Sequence, residues 1–584
     1  MYSHGATRLD ERRTRFALWA PDCREVALEL QDGSLHPMQE AAHGWFESEL
    51  ECPADTSYRF IVDGSRRVPD PASRRQFGDV HGFSRVVDHR SYVWRHANWR
   101  GRPWHETVIY ELHAGLVGGY AGVEALLPHL AELGVTAIEL MPLGEFPGRR
   151  NWGYDGVLPF APDGSYGTPD QLKHLIDSAH GMGLMVFVDV VYNHFGPDGN
   201  YLGHYASAFF REDRHTPWGA AIDFRRPQVR DFFCENALMW LLDYRVDGLR
   251  LDAVHAIGDD DFLADLADRV YAAVPPGRHV HLILENENNS AGLLERSYTA
   301  QWNDDGHNAL HVLLTGETEG YYADFAEDAT AKLATCLAEG FVYQGQANRH
   351  GKPRGEPSGQ LPPTSFVLFL QNHDQVGNRA FGERLAAMAD EDALKAATLL
   401  LLLSPMVPLL FMGEEWGSIQ PFLFFTDHQG ELANAVRDGR RNEFAEFSRF
   451  ADPALLQRIP DPNDLATFTR SQPDLAPNSQ PRQREWLDYY RRLLHLRHSH
   501  IVPALHGSHS LGVTVLAPGA LSAGWRLGNG QLLRIDINLG ELAVETGARS
   551  PAGKLLCAHR VNEEEYRQGL LPARSAQAVL EVAP

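Results

Sequence analysis

Cysteine is scarce in this chain: five residues in 584, at Cys23, Cys52, Cys234, Cys336 and Cys557, odd in number and far apart. That spacing excludes a dense disulfide framework and a zinc-ligand pattern, and it favours a reducing compartment. Positive charge is also short. The 53 Lys and Arg face 77 Asp and Glu, a net charge of −24, which disfavours nonspecific binding to nucleic acid or an anionic membrane but leaves a neutral ligand unpenalised. Met1–Arg15 carries Asp10, Glu11 and several Arg with no apolar core, so it is not a secretory signal. Long hydrophobic runs are missing with one exception, the 18 charge-free residues Ala396–Gly413. Pro405 and Pro408 interrupt that run, which predicts a helix over 396–403 and a strand over 407–412 rather than a membrane span. The candidate positions His194, His373 and their carboxylates lack a His-x-x-x-His spacing, and no glycine-rich dinucleotide turn follows the first strand, so neither a metal nor another cofactor is implied. The expectation is a cytoplasmic protein with no cofactor and no nucleic-acid or membrane partner.

What is present suits a multidomain globular protein. Apolar residues make up 43% and aromatics 10%, and the length calls for two to four domains. Residues 1–95 alternate in short runs, such as Arg15–Ala20, Glu25–Leu30 and Ser57–Val62, the last followed by an Asp63-Gly64 turn, which predicts a small β-sandwich. From Thr107 the pattern becomes strand, loop, helix, repeated. Strands are predicted at 108–112, 137–141, 184–189, 248–252, 281–285, 300–303, 366–370 and 407–412. Helices are predicted at 122–133, 168–182, 227–244, 260–274, 323–339, 396–403 and 484–497. Eight such strands alternating with helices predict an α/β fold, a closed (β/α)₈ barrel over residues 96–500. Residues 501–584 return to short alternating runs and predict a small C-terminal β domain. Ser471–Pro481, rich in Pro, Ser, Asn and Gln, reads as an exposed excursion.

Four of the predicted strands end in a polar cluster with a carboxylate: Asp189 with Asn193 and His194, Arg250 with Asp252, Glu285, and His373 with Asp374. A continuous apolar run that stops at a charge suits a strand buried on both faces whose C-terminal end opens into a site. Arg250 and Asp252 are two apart and share a face, so the guanidinium keeps the carboxylate ionised, as a nucleophile requires. Glu285 ends a separate apolar strand, where desolvation raises its proton affinity and suits it to donate a proton. Carboxyls roughly 5–5.5 Å apart would make a retaining glycosidase, with Asp374 as a third acid binding sugar hydroxyls. Asp189, Asn193, Arg250 and His373 would orient these groups. Each signal has a structural alternative: an Arg-x-Asp pair can be a plain ion pair, and a terminal Asp a helix cap. Glu287, two residues beyond Glu285, is a rival proton donor. Trp152, Tyr154, Trp218, Trp302, Trp416, Phe422, Phe424 and Phe425 fall in the expected mouth loops, where a few would stack on sugar rings.

With these residues the chain resembles the α-amylase superfamily of glycoside hydrolases, through Asp189–His194, Gly248–His255, Leu282–Glu285 and Asn372–Asp374. By that resemblance Asp252 is the nucleophile, Glu285 the acid/base and Asp374 the transition-state stabiliser. Tyr154 is then the tyrosine that stacks on the sugar at the cleavage subsite. Asp189, Asn193, His194, Arg250, His255, His373 and Trp218 are the further substrate-binding candidates. Trp19-Ala20-Pro21 and Tyr58-Arg59-Phe60 resemble the carbohydrate-binding sandwich found before the barrel in branching and debranching members. Glu145–Gly156, Asn193–Leu202, Pro421–His428 and Gly439–Phe444 are similar to the maltooligosyltrehalose trehalohydrolase family within it. That likeness implies hydrolysis of the α-1,4 bond between a maltooligosaccharide and a terminal trehalose, with maltooligosyltrehalose as the partner bound. The long stretch between Glu285 and Asn372, with the loops around Trp218 and Phe422, would recognise the trehalose end. Glycogen branching enzyme and isoamylase-type debranching remain alternatives, as does a non-catalytic glucan-binding protein. Branching enzymes carry Trp-Val-Pro beside the third-strand Asp, where this chain has Val190-Val191-Tyr192.

Overall fold

The computed structural model describes residues 2–445, 447–450, 452–475, 480–547 and 553–581. Eight parallel strands close into a barrel: β1 (Ile109–Leu112), β2 (Ala137–Leu140), β3 (Met185–Val190), β4 (Gly248–Leu251), β5 (His281–Leu284), β6 (Ala300–Trp302), β7 (Phe366–Phe369) and β8 (Val407–Phe411). Closure is made by Ile109, Tyr110 and Glu111 of β1 against Leu409, Leu410 and Phe411 of β8. Every residue of these strands is buried, which is why they read as unbroken apolar runs rather than alternating ones. Ile109, Ala137, Met185, Ile283, Ala300, Val367 and Val407 fill the lower lumen as one apolar cluster.

The connecting helices follow the expected signals. Thr168 caps the helix Pro169–Gly181 through a full capping box with Gln171, and Pro169 takes its first position. The charge-free stretch resolves into the helix Glu391–Leu403 and strand β8, and no helix among the described residues is long and apolar enough to cross a membrane. Three helices begin three to five residues earlier than expected, at Gly119, Glu391 and Pro481, and two others change along their length. The predicted helix over 323–339 is broken at Asp328, whose φ of 53° is left-handed; a 3₁₀ turn, Gly320–Phe325, precedes the break and the α-helix runs only Ala329–Glu339. The predicted helix over 227–244 is α-helical over Pro227–Leu238 and then widens into a π turn, Met239–Asp243. A helix not anticipated at all, Asp304–Thr315, follows β6.

Before the barrel, two antiparallel sheets pack face to face. One is built on Arg13–Trp19 and Trp45–Glu51, the other on Val26–Leu30 and Ser57–Val62, and Phe16 of the first meets Tyr58 of the second at 4.8 Å between ring centroids. After the barrel comes a five-stranded antiparallel sheet in the spatial order His509–Ala517, Ala520–Arg526, Leu532–Asn538, Ser575–Glu581, Gly553–His559. Of the expected excursion at 471–481, residues 476–479 lie outside the described residues. Ser471 is no excursion: it ends the helix Leu465–Ser471 and its hydroxyl accepts from the Leu423 N–H at 2.9 Å.

Candidate active site

Above the apolar layer, the lumen turns polar. Arg250, the third residue of β4, is 1% exposed and stands directly across the ladder from Asp189 of β3. Its Nη1 donates to Asp189 Oδ2 at 2.5 Å and Asp252 Oδ1 at 2.9 Å, and its Nη2 to Glu285 Oε2 at 2.8 Å. The guanidinium lies 4.2 Å over the Trp302 ring, so its plane is fixed by packing as well as by charge. Asp252 and Glu285 each sit one residue past the end of their strands, where the ladder no longer claims the chain.

The two carboxyls are within hydrogen-bonding reach of each other, yet their environments push them apart. Burial raises the proton affinity of Asp252, but the Arg250 guanidinium, then His194 and the Asn193 amide, outweigh it and hold the carboxyl below its ordinary range. The Asn193 Nδ2 donates to Asp252 Oδ2 at 2.8 Å. For Glu285 burial dominates, and the negative charges of Asp252, Asp304 and Asp374 add to it against Arg250, so its pKa stands well above the usual carboxylate value. The Ala253 N–H also donates to Glu285 Oε2 at 2.8 Å, from a backbone with φ of 40°, an uncommon conformation for alanine that aims this donor inward. A carboxyl held ionised beside one held protonated is the division of labour that acid–base and nucleophilic catalysis need.

Behind them runs a second chain of contacts. The Tyr154 hydroxyl donates its single proton to Asp189 Oδ2 at 2.6 Å, so the His373 Nε2 at 2.8 Å must be the donor to that oxygen. His373 Nδ1 in turn meets Glu111 Oε1 at 2.5 Å, which leaves the ring a doubly protonated cation. Burial disfavours that cation; the Glu111 carboxylate more than offsets it, and the pKa is raised. Tyr154 and His373 stack at 5.1 Å. Asp374 follows on a short helix, His373–Gly377, partly exposed and holding the Asn378 amide at 2.5 Å. His194 spans Asn193 Oδ1 at 2.5 Å and the Tyr154 carbonyl at 3.0 Å, and Trp218, half exposed, stacks on it at 5.6 Å. His255 lies at the rim and accepts from the Glu287 N–H at 3.3 Å.

The two glutamates stand in different surroundings. β5 stops at Leu284, so the strand does not carry Glu287 into the lumen; its side chain is 71% exposed, against 19% for Glu285, and it lies 3.8 Å from the His255 ring. Among the aromatics, Trp302 is not in a mouth loop but is the last residue of β6, beneath Arg250. Trp416 packs against His129, while Trp152 and Phe422 stack at 5.2 Å and lock the loops after β2 and β8 together.

Several polar residues here were not anticipated. Glu111 holds His373, and Glu139, its neighbour across the ladder, is buried with neither carboxyl oxygen bonded among the described residues. Burial first, then the charge of Glu111, pushes the Glu139 pKa well up. Both interrupt short apolar runs, Ile109–Leu112 and Ala137–Leu140, the same signal that marked Asp189. Asp304 opens the unanticipated helix and faces Glu285 and Asp374; burial, then Asp374, raise its pKa to about 7. Asp305 beside it gathers the Asn289 amide at 2.9 Å, the Arg354 guanidinium at 2.9 Å and the Val342 N–H at 2.9 Å, tying the loop after Glu339 to the rim. No local pattern distinguishes this Asp-Asp pair from a helix start.

Residues 91–218 match the model of the alpha amylase catalytic domain, and residues 508–577 match a domain of unknown function, DUF3459. A malto-oligosyltrehalose trehalohydrolase of Deinococcus radiodurans is 41% identical over 503 residues, 84% of this chain and 82% of that one. The chain belongs to the malto-oligosyltrehalose trehalohydrolase family. It is therefore a glycoside hydrolase, and an oligosaccharide substrate fits. A family member from Saccharolobus solfataricus is 39% identical over 488 residues, covering 80% of this chain and 85% of its own. A 1,4-alpha-glucan branching enzyme of Rhodospirillum rubrum is 32% identical, but over only 44% of this chain. Among solved structures, one from Salmonella typhimurium, provisionally named an alpha amylase, superposes with a TM-score of 0.93 at 42% identity over the whole of both chains. A pullulanase from Anoxybacillus shares the fold with a TM-score of 0.73 at 18% identity.

Proposed function

We propose that this protein is a retaining glycoside hydrolase that cleaves the α-1,4 bond between a maltooligosaccharide and a terminal trehalose, releasing trehalose. The observation that carries the mechanism is one guanidinium bonded to both acids, 2.9 Å from Asp252 and 2.8 Å from Glu285. Carboxyls sharing one guanidinium face a single linkage, and a spacing of roughly 5–5.5 Å is what a retaining pair requires. Asp252, held ionised, attacks the anomeric carbon as Glu285 gives its proton to the departing glycosidic oxygen, forming a glycosyl ester on Asp252. Glu285, now a carboxylate, takes a proton from the incoming water, and the ester opens to sugar and free Asp252. Asp374 accepts sugar hydroxyls in the oxocarbenium-like state, and Tyr154 stacks on the ring at the cleavage point. Arg250, Asp189, Asn193 and His373 hold these groups in place. His194 with Trp218, and His255, line the subsites beyond. The names of the curated relatives support the trehalose-releasing specificity.

In this reading residues 1–95, 96–500 and 501–584 are three domains, the first a sugar-binding sandwich, and the five unpaired thiols support a cytoplasmic setting. Incubation with maltooligosyltrehalose and, separately, with amylopectin tests the proposal. Free trehalose from the first is expected. New branch points without trehalose would make the enzyme a transferase, released linear chains a debranching enzyme, and binding without product an inert module.

A further inference from the structure

Residues 191–226 connect β3 to the helix Pro227–Leu238, and their inner side carries Asn193, His194 and Trp218. Their outer side is gripped by the N-terminal sandwich at two places. At the first, the Ser207 N–H donates to Asp22 Oδ2 at 2.6 Å, the Asp22 N–H donates to the Tyr205 carbonyl at 3.2 Å, and Trp19 lies 6.3 Å from Phe209. At the second, Val80 is fully buried in a small apolar cluster with Val157, Leu158 and Ala161 of the barrel's β2–β3 connection. Val80 also packs on Gly199, whose φ of 89° already favours glycine and where an added Cβ would stand 2.6 Å from the valine. His81 beside it meets the Tyr201 hydroxyl at 2.7 Å. The loop thus lies between two walls, the sandwich outside and the acid cluster inside.

We propose that the sandwich is a positioning element of the active site: through Asp22 and Val80 it fixes the outer side of the 191–226 loop and so holds Asn193, His194 and Trp218 against the sugar. This rests on the glycosidase reading for its kinetic consequence but not for its geometry. A long surface loop left to itself samples many conformations, and ordering it in advance removes that cost from substrate binding.

The experiment uses the full chain with Asp22→Ala, Asp22→Asn and Val80→Ala, singly, and the Asp22→Ala/Val80→Ala pair. Kinetics on maltooligosyltrehalose are read beside thermal melting. Acrylamide quenching of Trp218, taken as the difference from a Trp218→Phe background carrying the same changes, needs no substrate. The pair is expected to raise KM about fivefold or more, because the substrate must then order the loop, and to lower kcat by less than KM rises. It should also increase Trp218 quenching, while Asp22→Asn, which keeps an acceptor, stays near wild type. Unchanged KM and unchanged quenching in a folded pair would overturn the proposal, and so would equal losses of kcat in Asp22→Ala and Asp22→Asn. Should the pair not fold, the same two outcomes are read on the single variants. If the wild type releases no trehalose, the functional reading fails, and the quenching comparison still decides the positioning claim.

Discussion

Two levels of one barrel are built from the same strands and the same inward-facing parity, yet do opposite things. The lower level, with Ile109, Ala137, Met185, Ile283 and Val367, is an apolar plug. The upper level, with Glu111, Glu139, Asp189 and Arg250, is polar and ionisable, and one guanidinium is bonded to three carboxyl groups at Arg250. The plug gains stability from burial, whereas the polar level gives some of it up, because desolvating charges costs more than their pairing returns unless every bond is made. The difference shows where binding and chemistry can be changed without unfolding the protein.

The largest effect is expected from Asp252→Asn and Glu285→Gln, measured by steady-state hydrolysis and thermal melting. Loss of the nucleophile should lower kcat by roughly 10⁴-fold or more, and loss of the proton donor by about 10²–10⁴-fold. Both should melt near the wild-type temperature. A large fall in melting temperature would erase the contrast between the levels. Next comes the lower level: Ile283→Ala should cost about 2–5 kcal/mol in denaturant unfolding, with the kcat of the folded fraction changed by less than about twofold. A catalytic collapse without destabilisation there would show that the plug is not inert.

The third test sharpens the electrostatics of the upper level. In the proposed mechanism kcat/KM requires Asp252 ionised and Glu285 protonated, so it should fall at low pH as Asp252 gains a proton and at high pH as Glu285 loses one. Asp304 is negative above about pH 7 and then disfavours the charged form of Glu285. Asp304→Asn removes that repulsion, and the alkaline limb should move to lower pH while the acid limb stays. A pH–rate profile showing no movement, or movement upward, would remove Asp304 from the account. The smallest effect is expected from Glu287→Gln, exposed and outside the lumen, which should leave turnover within about twofold. A loss comparable to Glu285→Gln would reverse the assignment of the two glutamates.

Much of this was legible beforehand, because a buried parallel strand announces itself as an apolar run and its functional end as the charge that stops it. The residues around Asp189, Arg250, Asp252 and Glu285 followed that rule, and the structure gathers them around one guanidinium. Glu111 and Glu139 carried the same signal more faintly, inside runs of four residues that gave little context. Asp304 gave none, since its Asn-Asp-Asp setting is what any helix start looks like. The break at Asp328 escaped notice because helical periodicity continues through it.

By itself, then, the sequence determined the alternation that makes a barrel, the two flanking β regions and the order of the acids along the chain. These are local properties: apolar period, capping and turn residues act within a few positions. Only the tertiary structure decided which groups share a charge, why Asp252 is held ionised and Glu285 protonated, and that the sandwich grips the loop of Asn193 and Trp218. Those outcomes depend on distance and desolvation between residues far apart in the chain, such as Glu111 and His373, and physical proximity of that kind is created only when the strands close.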